Sequence, residues 1–175
     1  TTEIYTLSLH DALPICTIGG VSGENLTPYD LVKFSLAFGM WVKQQANVPK
    51  PKIVLGRDAR ISGNMVARLV SGSLMSIGID VIEIGLATTP TVEIAVVAEK
   101  ASGGIILSAS HNPAQWNALK LLNQKGEFIS ETDGKQVLEL ADKDDFTFSD
   151  VTQLGICHKK FTYLKTHIAQ ILALP

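Results

Sequence analysis

Gly103-Gly104-Ile105-Ile106-Leu107-Ser108-Ala109-Ser110-His111-Asn112-Pro113 is an apolar run that breaks abruptly into a polar turn. Gly104–Leu107 carries no polar side chain at either alternate position, the pattern of a strand buried on both faces. Ser108 to Pro113 then sets two hydroxyls on either side of Ala109, adds an imidazole and an amide, and stiffens the exit with proline. Several exposed donors on a turn at a strand end suit an anionic group. A plain polar turn punctuated by Asn112-Pro113 has the same composition, and local chemistry leaves both readings open. Ser110 beside His111 does not by itself make a hydrolase, because sequence neighbours point apart and no Gly-x-Ser-x-Gly elbow is present.

Working outward, the flanking segments alternate between helical and strand patterns. Thr27-Pro28-Tyr29-Asp30 combines a cap, a first-turn proline and an acidic residue, and is where regular structure is expected to start. Leu31, Phe34, Phe38, Trp41 and Val42 follow at three-to-four spacing, so a helix should run to before Pro49. Lys52–Leu55 reads as a buried strand, and Asn64 to Ile77 as a helix with Met65, Leu69, Leu74 and Ile77 on its apolar face. Asp80–Ile84 is the next strand and Thr91 to Glu99 a short helix. Ala118–Leu122 is a further strand, Glu131 to Ala141 a helix, Asp142–Asp145 a solvated break, and Tyr163 to Leu174 a last helix. This alternation predicts a three-layer α/β/α domain with a mostly parallel mixed sheet. Ligands of such sheets sit beyond the carboxyl ends of the strands, which singles out Gly56–Gly63, Gly85–Pro90 and Ser108–Pro113.

The 175 residues suffice for one core and a short extension. A net charge of −2 provides no field for nucleic acid or acidic membrane, and no apolar run spans a bilayer. Cys16 and Cys157 share no metal-ligand spacing, so a reduced cytoplasmic setting is expected. His10, His111, His158 and His167 are scattered, and only His111 has an informative context. Thr1–Ile15 (TTEIYTLSLHDALPI) has neither strand nor helix periodicity and no signal-peptide organisation. It matches, in order, the conceptual translation of a common sequencing-adapter oligonucleotide. The natural sequence is therefore expected to start near Cys16, with no functional weight on His10 or Asp11.

Arg57, Asp58 and Arg60, in the first rim loop, have two readings. They form a structural salt-bridge knot, or the arginines present guanidinium forks to a phosphate while Asp58 is structural. Thr88, Thr89 and Pro90 read as a cap and turn that position the neighbouring loop. Lys120 is either a solvent-facing strand lysine or a cation reaching the site.

SASHNP followed by Asn117 and Lys120, together with Gly56-Arg57-Asp58-Ala59-Arg60, Ser62-Gly63 and Gly85 with Thr88-Thr89-Pro90-Thr91, resembles the α-D-phosphohexomutase superfamily. The likeness runs from about Thr17 to the C-terminus and centres on that family's phosphoserine loop. It implies that Ser110 is phosphorylated and hands its phosphate to a hexose phosphate. The resulting hexose 1,6-bisphosphate then returns its other phosphate, so phosphate moves between the 6- and 1-oxygens. The catalytic set implied is Ser110, His111, Lys120, Arg57 and Arg60. Mg²⁺ would sit on the phosphoserine oxygen of Ser110. Phosphoglucosamine mutase is placed slightly ahead of phosphomannomutase and phosphoglucomutase. A non-catalytic sugar-phosphate- or nucleotide-binding α/β module is the alternative.

The family's opening S-G-I-R-G motif and its D-G-D-G-D-R metal loop do not occur here, and Ser108 and Ala118 replace a commoner threonine and glycine. The expected division is an adapter-derived segment over 1–15, the first phosphohexomutase domain over 16–150, and over 151–175 a linker with the start of a second domain. Domains II–IV would be missing partners from the same chain, and the chain alone is expected to be inactive.

Overall fold

Two of the five described α-helices start at reciprocal caps that are written into the sequence. The computed structural model describes residues 17–174; Thr1–Ile15, read as adapter-derived, and Cys16 lie outside them. Helix α1 (Pro28–Gln45) is capped by Thr27, whose hydroxyl accepts from the Asp30 amide while Asp30 Oδ2 accepts from the Thr27 amide at 2.8 Å. Helix α4 (Glu131–Lys143) repeats the device with Ser130 and Asp133. Such caps contribute about 1 kcal/mol each by satisfying first-turn amides. The remaining helices are α2 (Gly63–Ser76), α3 (Thr89–Ala98) and α5 (Tyr163–Leu172).

Six strands form one sheet: β1 (Thr17–Val21), β2 (Lys52–Arg57), β3 (Asp80–Leu86), β4 (Gly103–Leu107), β5 (Trp116–Leu122) and β6 (Cys157–Lys159). Their order is β1-β5-β4-β2-β3-β6. The β4, β2, β3 and β6 neighbours are parallel, while β5 pairs antiparallel with both β1 and β4. Helices cover both faces, giving the expected three-layer α/β/α architecture. Alternation along the strands assigns Ile53, Leu55, Ile105, Leu107, Leu119 and Leu121 to a core shared with α1, α2 and α4. Val54, Ile106 and Leu122 face the other way, onto Val92, Ala95 and Val96 of α3. None of the described helices is long and apolar enough to cross a membrane.

The five apolar residues expected on α1 are all buried. Phe38 stacks on Trp41 with ring centroids 5.8 Å apart, and Trp41 Nε1 donates to Gln136 on α4. Two expectations need correction. Regular structure starts at Thr17 rather than Thr27, because β1 pairs with β5. On α2 the buried face is Val66, Ala67, Val70 and Leu74, whereas Met65 is 43% exposed. β6 is an unforeseen edge strand, followed by α5, which buries only Tyr163.

Close packing fixes the height of α3. A Cβ on Gly56 would come within 2.5 Å of Val92 Cγ2, and one on Gly104 within 2.6 Å of Val96 Cγ2. The helix can approach this closely only because both positions lack a side chain.

Candidate active site

The carboxyl end of β4 delivers the polar turn to the rim of the sheet. Ala109 is buried and anchors it, while Ser110 and His111 are exposed. The Ser108 amide donates to the Ala118 carbonyl, the Ser110 amide to Ser108 Oγ, and the Asn112 amide to the Ala109 carbonyl. Ser110 itself has φ +56°. Left-handed backbone at a residue with a side chain costs roughly 1–3 kcal/mol and persists only where the surroundings over-determine it. Ser110 Oγ lies 3.5 Å from His111 Nδ1, at the outer limit of a hydrogen bond. That contact is too long for an activated serine–histidine pair.

The surroundings that impose this conformation come from the loop after β2. Arg60 Nη2 donates to the Ser110 and Asn112 carbonyls, each at 2.8 Å. Its Nη1 donates to the carbonyls of Pro113 at 2.7 Å and Trp116 at 3.0 Å. Its Nε donates to Asp58 Oδ2 at 3.1 Å, and the Arg60 amide donates to Asp58 Oδ1 at 3.0 Å. The Arg60 side chain is only 11% exposed. The salt-bridge reading of the Arg-Asp-x-Arg loop describes Arg60, whose fork is spent on the carbonyls of the Ser110 turn and not offered to a phosphate. A guanidinium has five N–H donors, and all of them are occupied, so Arg60 in this arrangement has none for phosphate.

Arg57 behaves differently. It ends β2, in register with Leu107 of β4 and Leu86 of β3, and its Nη1 donates to the Asp58 carbonyl at 3.1 Å. No other hydrogen bond of its guanidinium occurs among the described residues. Lys120 of β5 pairs with Ile106 and lies on the face of α3, half-buried, with no side-chain bond among the described residues. Neither Arg57 nor Lys120 bonds to Ser110 here. The third rim loop is tied in by the Ala87 amide, which donates to the Arg57 carbonyl. Thr88 bonds to Thr91, and Thr91 to His167 Nδ1 on α5, consistent with a scaffold role for this turn.

Asn117 is a positioning residue whose role the sequence reading did not define. It is fully buried, donates through Nδ2 to Ser62 Oγ at 2.9 Å, and accepts the Ala118 amide at 2.8 Å. Ser62 also receives the Ser22 hydroxyl from the end of β1. The only signal in the sequence was the place of Asn117 three residues before Lys120.

No three His, Cys, Asp or Glu side chains gather into a metal-binding group among the described residues. The nearest carboxylate in this network, Asp58, is occupied by Arg60. Ser110 Oγ is thus a single hard ligand, and these residues do not make an Mg²⁺ site by themselves.

This arrangement has counterparts in known proteins. Residues 17–148 match the family model described as phosphoglucomutase/phosphomannomutase, alpha/beta/alpha domain I. The chain belongs to the phosphoglucomutase/phosphomannomutase family. It is 34% identical over 143 residues to a phosphoglucomutase/phosphomannomutase of Thermococcus kodakarensis, covering 82% of this chain and 31% of that protein. It is 37% identical over 140 residues to a phosphoglucosamine mutase of Streptococcus pyogenes, covering 78% and 31%. A crystal structure of a Thermus thermophilus protein assigned to the phosphomannomutases superposes with TM-score 0.77 at 26% identity, covering 91% of this chain and 35% of that one. The chain thus spans about a third of the length of the family members it matches.

Proposed function

We propose that this chain is the phosphoserine-bearing first domain of a phosphohexomutase, with Ser110 as the phosphoryl carrier. One observation carries the reading: a serine hydroxyl, exposed at the carboxyl end of a central strand, is held in a left-handed conformation by the neighbouring loop. Residues in sparsely populated backbone regions cluster where a group must be pre-aimed.

In the forward half-reaction the P–O bond to Ser110 Oγ breaks as a bond forms from phosphorus to a hydroxyl of the hexose phosphate. The sugar hydroxyl gives up its proton and Ser110 Oγ ends protonated. The reverse step takes the other phosphate back from the bisphosphate. Little covalent chemistry is asked of the protein beyond alignment and charge compensation. Arg57 and Lys120, with no acceptor filling most of their donors, are the cations proposed to face the transferring group. His111 is proposed to contact phosphate from beside the serine. Mg²⁺ would neutralise charge on the transferring group, with Ser110 as one of its ligands. Its remaining ligands, like the rest of the sugar site, are assigned to domains II–IV beyond this sequence, with residues 151–175 as the lead into the second. The mutase is proposed to be cytoplasmic. The relatives include phosphoglucosamine mutases and phosphoglucomutase/phosphomannomutases, and phosphoglucosamine is proposed as the substrate ahead of the others.

Intact-mass measurement of the full-length protein, domains II–IV included, after incubation with Mg²⁺ and a hexose 1,6-bisphosphate tests the assignment. Gain of one phosphate, mapped to Ser110 and absent in Ser110→Ala, is expected. Reversible binding with no covalent phosphate would favour a sugar-phosphate-binding module, and labelling of Ser110 by a fluorophosphonate would favour a hydrolase. Either result would overturn the reading. The chain alone is expected not to isomerise a hexose phosphate in a coupled assay.

A further inference from the structure

We infer that Arg60 is a positioning residue that acts through Ser110, setting its left-handed backbone, and does not bind phosphate. The inference rests on the phosphoserine reading above for its functional meaning, though not for its geometry. The fork of Arg60 closes on four carbonyls spread over one turn, those of Ser110, Asn112, Pro113 and Trp116. Carbonyls gathered toward one point are short of amide partners, although that of Pro113 also receives the Trp116 amide. A planar cation with five fixed donors is the side chain that satisfies them together. Lysine, with three donors on a tetrahedral head, does not reproduce the set.

The clamp is also indexed to the sheet. The Asp58 amide donates to the Leu107 carbonyl at 3.0 Å, at the last residue of β4 before the turn departs. Asp58 then holds Arg60 through both carboxylate oxygens. The bonds therefore form a closed circuit: from Leu107 to Asp58, to Arg60, and back onto the turn that Leu107 begins. Any displacement of the turn relative to β4 must break several charge-assisted bonds, made by a side chain only 11% exposed to carbonyls at the exposed rim. All partners of Arg60 are protein carbonyls and one carboxylate, so the clamp is complete whether or not Ser110 is phosphorylated. Arg57, at the end of β2, keeps its donors for the ligand.

NMR on the isotope-labelled full chain tests this. The Arg60 Nε–Hε signal should be protected from exchange and unmoved by α-D-glucose 1,6-bisphosphate or inorganic phosphate, while that of Arg57 moves. In Arg60→Lys the Ser110 carbon shifts should leave their left-handed values, and in the full-length protein phosphorylation of Ser110 should slow roughly 10- to 100-fold. Asp58→Asn, which retains the guanidinium but loosens it, should shift both readouts in the same direction and by less. Ser110 keeping left-handed shifts in a folded Arg60→Lys protein, or an Arg60 signal that moves with phosphate, would overturn the clamp. If Arg60→Lys does not fold, the wild-type Arg60 signal and Asp58→Asn decide alone. A full-length protein with the clamp intact but no phosphate gain on Ser110 in the presence of Mg²⁺ would instead sink the phosphoserine reading and leave the clamp standing.

Discussion

Beneath α1, α2 and α4 the sheet is sealed by large side chains, among them Phe34, Phe38, Trp41 and Leu74, whereas on its other face α3 rests on glycine and α5 buries only Tyr163. The first face gains its stability from area removed from water, at roughly 25 cal/mol per Å². The second has a smaller apolar core, built on Val54, Ile106, Leu122, Val92 and Val96, and adds close approach and polar hooks. Glu99 at the end of α3 accepts Lys160 through both oxygens at 2.9 Å and receives a short bond from the Tyr163 hydroxyl. His167 reaches Thr91. Apolar area tolerates small shifts, while hooks fail one at a time. The second face should therefore loosen locally where the first unfolds globally.

Substitutions on the two faces should separate these behaviours. Phe38→Ala leaves a large cavity in the first core and should cost about 3–5 kcal/mol in urea-induced unfolding, shifting every probe together. A loss below about 1 kcal/mol would mean that this face is not the one holding the fold. Gly56→Ala forces Val92 and the strand apart and should cost about 1–3 kcal/mol, with the largest rise in amide exchange in α3. Tyr163→Phe removes one bond to a carboxylate and should cost about 1–2 kcal/mol, seen as faster exchange in α5 at an almost unchanged global midpoint. If the midpoint falls as far as in Phe38→Ala, the contrast between the faces is broken.

The smallest effect is a pH dependence confined to α5. Burial pushes the Glu99 carboxyl up, but the bonds from Tyr163 and Lys160 and the lysine's charge outweigh it and hold it below the ordinary glutamate value. Burial, and then the bond to Glu99 and its charge, push the Tyr163 phenol well above the ordinary tyrosine value. A depressed carboxylate stabilises above its unfolded pKa and loses that contribution as acid protonates it. A raised phenol stabilises below its unfolded pKa and loses that as base ionises it. Protection of α5 amides should thus be level between roughly pH 5 and pH 9 and fall on either side. Tyr163→Phe should remove the alkaline limb and weaken the acid one, because the Tyr163 bond is the largest contribution holding the Glu99 carboxyl down.

Fold class was legible because strands buried on both faces leave continuous apolar runs such as Gly103–Leu107, and because Thr27 and Ser130 announce helices by local chemistry. β1 escaped notice because TIGGV has two glycines and its pairing with β5 is set about a hundred residues away in the chain. β6, three residues long, owes its existence to an open edge of β3. On α2 and its C-cap the expected Leu74 and Ile77 are buried and Leu69 packs against the core, but Met65 is exposed and the smaller Val66, Ala67 and Val70 complete the face. At the site, the residue types and their rim position were readable. The division of labour between Arg57 and Arg60 was not, because it depends on carbonyls 50 or more residues away in the chain, and carbonyls carry no sequence signal.

Gly56 and Gly104 leave bare main chain under α3 where other strands carry a cushion of branched carbons. The gap between helix and strands there is so narrow that a single methyl on either glycine would press on the helix. Anyone seeking to enlarge the interior of this protein would have to work from beneath α1, since the opposite ceiling cannot be raised without lifting the helix that starts from the rim loop after β3.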